Sequence, residues 1–235
     1  MAEIKYQDGA YDGEVITIDG VSEPHGSGKC VWDNGDVYEG EWSFGKRHGN
    51  GKLTLAGGDV YIGGWSFDKK NGKGRLDCAN GDVYEGEWFS DDKHGRGRLD
   101  YANGDVYEGK WIFDKKSGRG KLTLANGDVY EGTWVVDELL RGKARITYAN
   151  GDVYKGGWSL DEKRGKGRLD CANGDYYVGR WEADKIIYGK MRTTDPNGDV
   201  YEGRVLDNQP HGKGTMTYSD GKVHRGKWEF GKIKK

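Results

Sequence analysis

Apolar and polar positions alternate along this chain in short runs, and the runs return at a fixed interval. In GRLDYANGDVYEGKW, residues 97–111, Leu99 and Tyr101 precede an Asn-Gly pair, and Val106, Tyr107 and Trp111 follow it. Alternation bounded by turn residues reads as the two strands of a β-hairpin. Asn103-Gly104 predicts a two-residue type I′ turn, which needs positive φ at both positions. The pair returns at Asn34, Asn80, Asn126, Asn150, Asn173 and Asn197, with Gly57-Gly58 and Asp220-Gly221 as substitutes. After each tryptophan a polar stretch such as IFDKKS reads as a loop leading to Gly-x-Gly, for example Gly118-Arg119-Gly120, which opens the next hairpin.

A Tyr-x-Gly core recurs at Tyr11, Tyr38, Tyr61, Tyr84, Tyr107, Tyr130, Tyr154, Tyr177 and Tyr201, with a degenerate copy at His224. After a first interval of 27 the spacing is 23 or 24 residues. Tryptophan follows four residues later at Trp42, Trp65, Trp88, Trp111, Trp134, Trp158, Trp181 and Trp228. A period in this range predicts tandem units, each burying its apolar surface against its neighbours. The expected fold is all-β: an elongated, single-layer antiparallel sheet, a solenoid-like ribbon of about ten hairpins. One repeat domain is expected over 1–235, with repeats from about 9 to 231.

A two-residue turn at Asn103-Gly104 would pair Asp100 with Tyr107, Leu99 with Glu108 and Arg98 with Gly109. One face would then carry Arg98, Asp100, Tyr107, Gly109 and Trp111, and the other Leu99, Tyr101, Val106 and Glu108. Over the repeats this stacks tyrosine, glycine, tryptophan and aspartate columns beside a basic column of Lys29, Lys52, Arg75, Arg98, Lys121, Arg145, Arg168 and Arg192. Glycine between Tyr and Trp lets a neighbouring ring lie on bare backbone.

Composition narrows the function classes. Forty-two glycines and 34% apolar residues do not supply a central core, so neighbour contacts must hold the chain. With 37 basic and 39 acidic residues the net charge is −2, which gives no general argument for nucleic acid. No stretch is apolar enough to span a membrane and the N-terminal residues lack a secretory pattern, so a cytoplasmic, soluble chain is expected. Cys30, Cys78 and Cys171 form no C-x-x-C pair and read as reduced, structural thiols. His25, His48, His94 and His211 share one loop position in separate repeats, which argues against a metal or catalytic histidine centre. No cofactor and no enzyme activity are expected.

Tyr-Glu-Gly-Glu-Trp at 84–88, His-Gly-x-Gly at 48–51 and the 23-residue period resemble MORN repeats, named for a membrane occupation and recognition nexus. The resemblance covers about residues 9–231. It implies twisted antiparallel sheets of one hairpin per repeat, and scaffolding or recognition at membranes, cytoskeleton or cilia. The reading is therefore a scaffold or adaptor that binds a protein partner, a peptide or helix, in a groove of aromatic and basic residues. The candidate groove residues are Lys52, Arg75, Arg98, Lys121, Arg145 and Arg168 with Tyr61, Tyr84, Tyr107, Tyr130 and Tyr154 and with Trp65, Trp88, Trp111, Trp134 and Trp158. The alternative is an anionic-lipid, phosphoinositide-binding module. Two loops with an extra residue turn apolar, which makes Leu139, Leu140, Ile186 and Ile187 candidate contact points. Val205 in place of Trp, with Thr193, Asp195 and Pro196 nearby, suggests a less stable C-terminal end. Open terminal strand edges allow a homodimer.

Overall fold

The computed structural model describes residues 2–234, and among them the chain forms 21 β-strands and no helix. Two compact units divide it, one reaching Ala125 and the other starting at Asn126. The first contains β1 (Ala2–Lys5), β2 (Gly9–Ile18), β3 (Val21–Trp32), β4 (Val37–Ser43), β5 (Lys46–Thr54), β6 (Val60–Ser66), β7 (Lys69–Asp77), β8 (Val83–Phe89), β9 (Asp92–Asp100), β10 (Val106–Ile112) and β11 (Lys115–Thr123). The second contains β12 (Val129–Val135), β13 (Glu138–Thr147), β14 (Val153–Ser159), β15 (Glu162–Asp170), β16 (Tyr176–Glu182), β17 (Lys185–Thr194), β18 (Val200–Leu206), β19 (Gln209–Thr217), β20 (Val223–Glu229) and β21 (Lys232–Ile233). Within each unit successive strands pair antiparallel in chain order.

The register differs from the expected one by one residue, and the turn explains why. Asp100 pairs with Val106, Leu99 with Tyr107 and Arg98 with Glu108. Tyr101 and Asp105 close the loop: the Tyr101 N–H donates to the Asp105 carbonyl at 2.9 Å, and the Gly104 N–H to the Tyr101 carbonyl at 2.9 Å. Only Gly104 has a left-handed φ, 89°, while Asn103 does not. The connection is thus a three-residue loop, a type I turn closed by a glycine bulge. Asn103 serves through its side chain, its Oδ1 accepting the Asp105 N–H at 2.9 Å.

A one-residue slip exchanges faces. Leu99, Tyr107 and Trp111 share one face and are buried, at 7%, 0% and 2% exposure. Arg98 and Glu108 share the other, bonded at 2.6 Å. The expected grouping of the basic column with the aromatics is corrected: Leu99 lies with Tyr107 and Trp111, and the charged ladder lies behind them with Val106 on its side.

The type I′ turns occur at the opposite ends of the strands, where polar loops were expected. Ile112 pairs with Lys115, leaving Phe113 (φ 47°) and Asp114 (φ 63°) as a two-residue loop. Positive φ is costly at phenylalanine, and two sets of contacts hold it. The Asp114 N–H donates to the Lys93 carbonyl at 3.1 Å while its Oδ1 accepts the Lys93 N–H at 2.9 Å. Phe113 also packs edge-on against His94, centroids 5.6 Å apart. His25, His48 and His211 pack likewise on Phe44, Phe67 and Phe230, which gives the histidine column a structural role.

Candidate functional site

The aromatic face fills itself. Tyr84 and Tyr107 are fully buried because each ring lies across glycines of its own and the following strand; a methyl group on Gly97 or Gly120 would collide with them. Each ring is then fixed by its hydroxyl, which donates to the carbonyl three residues on: Tyr84 to Glu87 at 2.9 Å and Tyr107 to Lys110 at 3.2 Å. Tryptophan indoles stand between the tyrosines, edge to face, with Tyr84 5.0 Å from Trp88 and 5.6 Å from Trp111. The indole N–H groups of Trp65, Trp88 and Trp111 each reach a glycine carbonyl on the preceding strand at 3.2 Å. Burial pushes the Tyr11 hydroxyl up to about 12 and those of Tyr38, Tyr61, Tyr84 and Tyr154 higher still.

A basic column does lie on this face, but a different one from that expected. Arg47, Lys70, Lys93, Lys116 and Lys163, five residues after a tryptophan, are half-buried and stand over the rings. The Arg47 guanidinium lies 4.4 Å from the Trp65 ring and the Lys70 ammonium 4.8 Å from that of Trp88. Arg47 pairs with Asp68 at 3.1 Å, Lys93 with Asp114 at 3.4 Å and Lys163 with Asp184 at 3.2 Å. Burial lowers the Lys70 pKa, partly offset by Asp91. At Lys163 burial also opposes the charge, but the Tyr148 hydroxyl and Asp184 outweigh it and the pKa rises. The sequence signal for this column was a cation at a constant distance from each tryptophan, hidden by its placement in supposed loops.

The expected site residues therefore divide. Tyr61, Tyr84, Tyr107 and Tyr154 and Trp65, Trp88, Trp111, Trp134 and Trp158 are buried, and Tyr130 is half-buried. Lys52, Arg75, Arg98, Lys121, Arg145 and Arg168 are exposed on the ladder face. Leu139 (5% exposed) and Ile186 (0%) are not free contact points, since they replace the aromatic-face cation opposite Trp134 and Trp181. Leu140 is exposed and Ile187 half-buried. The aspartate column is a set of stitches: Asp82 and Asp105 accept the N–H of Ala102 and Ala125, each in the next turn, at 2.8 Å.

The ladder face stays open. Glu85 faces Arg75 and Arg98, and Glu108 faces Arg98 and Lys121. Arg98 bonds Asp100 at 2.5 Å and Glu108 at 2.6 Å, so hydrogen bonds to both carboxylates hold its charge firmly. Two troughs of about 730 and 810 Å³ run over glycine backbone between these rows, the first edged by Lys73, Arg75, Glu85, Glu87, Arg96 and Arg98. Among the described residues no group of three or more His, Cys, Asp or Glu side chains is arranged to hold a metal ion, and no helix is long and apolar enough to cross a membrane. Burial pushes all three cysteine thiols up.

This architecture defines a tandem β-hairpin repeat protein. The MORN repeat model matches residues 23–37, 38–60, 61–83, 84–106, 107–129, 154–176 and 201–223, more than half of the chain, and the chain belongs to that family. The two gaps, 130–153 and 177–200, coincide with the hairpins that carry Leu139 and Ile186. No curated protein matches. Among solved structures, the chain is similar to the wild-type TCP10 domain of Danio rerio CPAP, with 15% identity over 85% of this chain and 93% of that one, at a TM-score of 0.38. The same domain in complex with a peptide of Danio rerio STIL gives 16% identity, 87% and 96% coverage and a TM-score of 0.39. The Drosophila melanogaster SAS-4 (dCPAP) TCP domain, in complex with a proline-rich motif of Ana2 (dSTIL), gives 13%, 80% and 94%, with a TM-score of 0.32.

Proposed function

We propose that this chain is a non-enzymatic scaffold or adaptor whose ladder face binds a protein partner. One observation carries the reading. The aromatic face is consumed by its own packing, with the repeat tyrosines and tryptophans other than the half-buried Tyr130 and Tyr177 at 0–8% exposure, whereas the ladder face keeps its long cations and carboxylates and its shallow troughs in solvent. Troughs over bare backbone, edged by side chains at strand spacing, suit an extended polypeptide. Membership in a repeat family whose units stack into continuous surfaces fits that use. A place at a cytoskeletal assembly belongs to the same reading.

The test is partner capture by the full chain followed by lysine-directed footprinting. The expected result is protection of Lys52, Lys121 or Lys155 on the ladder face, with Lys70, Lys93 and Lys163 on the aromatic face unchanged. Protection confined to the aromatic-face lysines would refute it. So would salt-sensitive association of the chain with anionic vesicles in place of any protein partner, which is the behaviour of the lipid-binding alternative.

A further inference from the structure

The two units carry opposite charge. Up to Ala125 there are 17 basic and 22 acidic residues; from Asn126 onward there are 20 and 17. The excess is concentrated on one stretch of ladder. The position after each repeat tyrosine is Asp12, Glu39, Ile62, Glu85 and Glu108 in the first unit and Glu131, Lys155, Val178 and Glu202 in the second, so the acid is lost in two consecutive repeats at Lys155 and Val178. Two residues further on stand Glu14, Glu41, Gly64, Glu87 and Lys110 in the first unit, and Thr133, Gly157, Arg180 and Arg204, with no acid among them, in the second.

Strands β14 to β17 therefore enclose a trough of about 430 Å³ edged by Lys155, Lys166, Arg168 and Arg180, with Val178 and Tyr188 beside them and no carboxylate in its lining. Asp170, two residues on from Arg168 along β15, accepts a hydrogen bond from it at 2.7 Å. Lys155, Lys166 and Arg180 are exposed and, among the described residues, form no ion pair, whereas Arg75 and Arg98 in the first unit each pair with two carboxylates. Tyr188 is 54% exposed although it is a large aromatic.

We infer that this trough is a docking site for an acidic, extended peptide segment of a protein partner. Charge complementarity carries the choice of occupant. Lys155 faces Arg168, and Lys166 faces Arg180, across neighbouring strands, while Lys166 and Arg168 are two residues apart on β15. Cations two residues apart on a strand are about 6.6 Å apart, the repeat of alternate side chains in an extended peptide. Carboxylates at alternate positions thus meet successive cations. Val178 and Tyr188 offer one aliphatic side chain of the peptide an apolar seat, which a bare phosphate or a lipid headgroup would leave unused.

This inference rests on the scaffold reading and names its partner's chemistry. The test uses the full chain and a fluorescein-labelled peptide, Glu-Thr-Glu-Thr-Glu-Leu-Glu, with its Gln-for-Glu analogue, inorganic phosphate, and vesicles of equal parts phosphatidylserine and phosphatidylcholine as comparators. The expected result is salt-sensitive binding of the acidic peptide alone. In a Lys155→Gln, Lys166→Gln, Arg180→Gln variant affinity falls roughly tenfold or more, at about 1.4 kcal/mol per decade. A Lys46→Gln, Lys69→Gln, Lys222→Gln variant, which removes three exposed cations at hairpin ends outside the troughs, changes it less than about twofold, within the small worth of exposed charges. Far-ultraviolet circular dichroism and melting of both variants establish that the sheet is retained. Equal loss in both variants, no loss in the first, or equal binding of phosphate or vesicles would overturn the inference. Capture of a partner that survives the first variant would sink this site while leaving the scaffold reading intact; failure of the parent chain to capture any protein would sink the scaffold reading itself.

Discussion

In the hairpin of β8 and β9, Gly86 and Gly97 face each other and Tyr84 lies across both. In the hairpin of β16 and β17, Gly179 faces Gly189, but Tyr177 is only half-buried and its hydroxyl reaches Thr193 Oγ1 at 3.4 Å instead. The difference lies in the second strand. Leu99 serves both neighbours, opposite Tyr84 on one side and Tyr107 on the other. In β17 those partners are two different residues, Met191 opposite Tyr177 and Thr193 opposite Tyr201. Met191 therefore stands opposite Gly203, where Gly97 stands opposite Gly109, and it is buried at 2%. Strand β13 repeats the pattern with Ala144 and Ile146.

The shift spreads to the next tryptophan. Trp111 donates to Gly97, but the Trp158 indole N–H, after β13, is buried with no partner among the described residues. After β17 the same position is Val205, 3% exposed and with no N–H to satisfy. What looked like decay of the C-terminal repeats is thus a local accommodation of β17, and β18 and β19 form a regular hairpin with Tyr201 bonded to the Arg204 carbonyl at 2.8 Å. One extra residue, placed inside a strand, exchanges a ring-over-glycine core for an aliphatic one.

Exchanging residues between the two kinds of hairpin tests that account. Ile186→Lys should have the largest effect, about 3–5 kcal/mol. The regular cation at this place has an aspartate in the next turn, whereas Asn208 stands there and its N–H donates to the Ile186 carbonyl. Chemical denaturation measures the loss, and a cost below about 1 kcal/mol, the scale of an exposed pair, would contradict it. Next comes Trp111→Ala, at about 3 kcal/mol or more for a buried aromatic. A much smaller loss would mean that the ring is displayed and not packed.

Alkaline pH should act on the regular hairpins first. Their tyrosine hydroxyls ionise above the ordinary value of 10, so the folded state holds protons that the unfolded chain releases. Stability is then fully present below about pH 10 and declines as pH rises through the folded values, read as loss of the melting transition together with phenolate absorbance. Independent ionisation of the buried tyrosines in a still-folded chain would contradict this. The smallest effect is expected for Trp158→Phe, which removes an unpartnered N–H and should cost about 1 kcal/mol or less, or stabilise. Trp111→Phe, which breaks a real hydrogen bond, should cost more by about 1 kcal/mol. Equal costs for the two would remove the distinction.

The period, the hairpins, the glycine rows and the family were legible because they are one-dimensional. The faces were not, because Asn-Gly serves either a two-residue or a three-residue loop and one residue decides which side Arg98 occupies. A usable signal was present: Leu99 has only one buried face available to it, so it must share that face with Tyr107 and Trp111. The Phe113-Asp114 turn carried no such mark, since neither residue announces positive φ. Leu139 and Ile186 looked like exposed loop residues because the strands were thought to stop short of them.

The stitches also determine where this polypeptide can be cut. The carboxylate of Asp82 serves Ala102, the ring of Tyr84 needs Gly97, and Asp114 grips Lys93 of the hairpin before it. No single 23-residue stretch contains both halves of all these bonds, so the unit written in the sequence is shorter than the unit that closes its own valences. Gene duplication or protein engineering that adds one period in frame keeps every donor with an acceptor, because the newcomer inherits its neighbours' debts and supplies their needs. A deletion of half a period leaves aspartates, glycines and rings facing the wrong strand all along the seam.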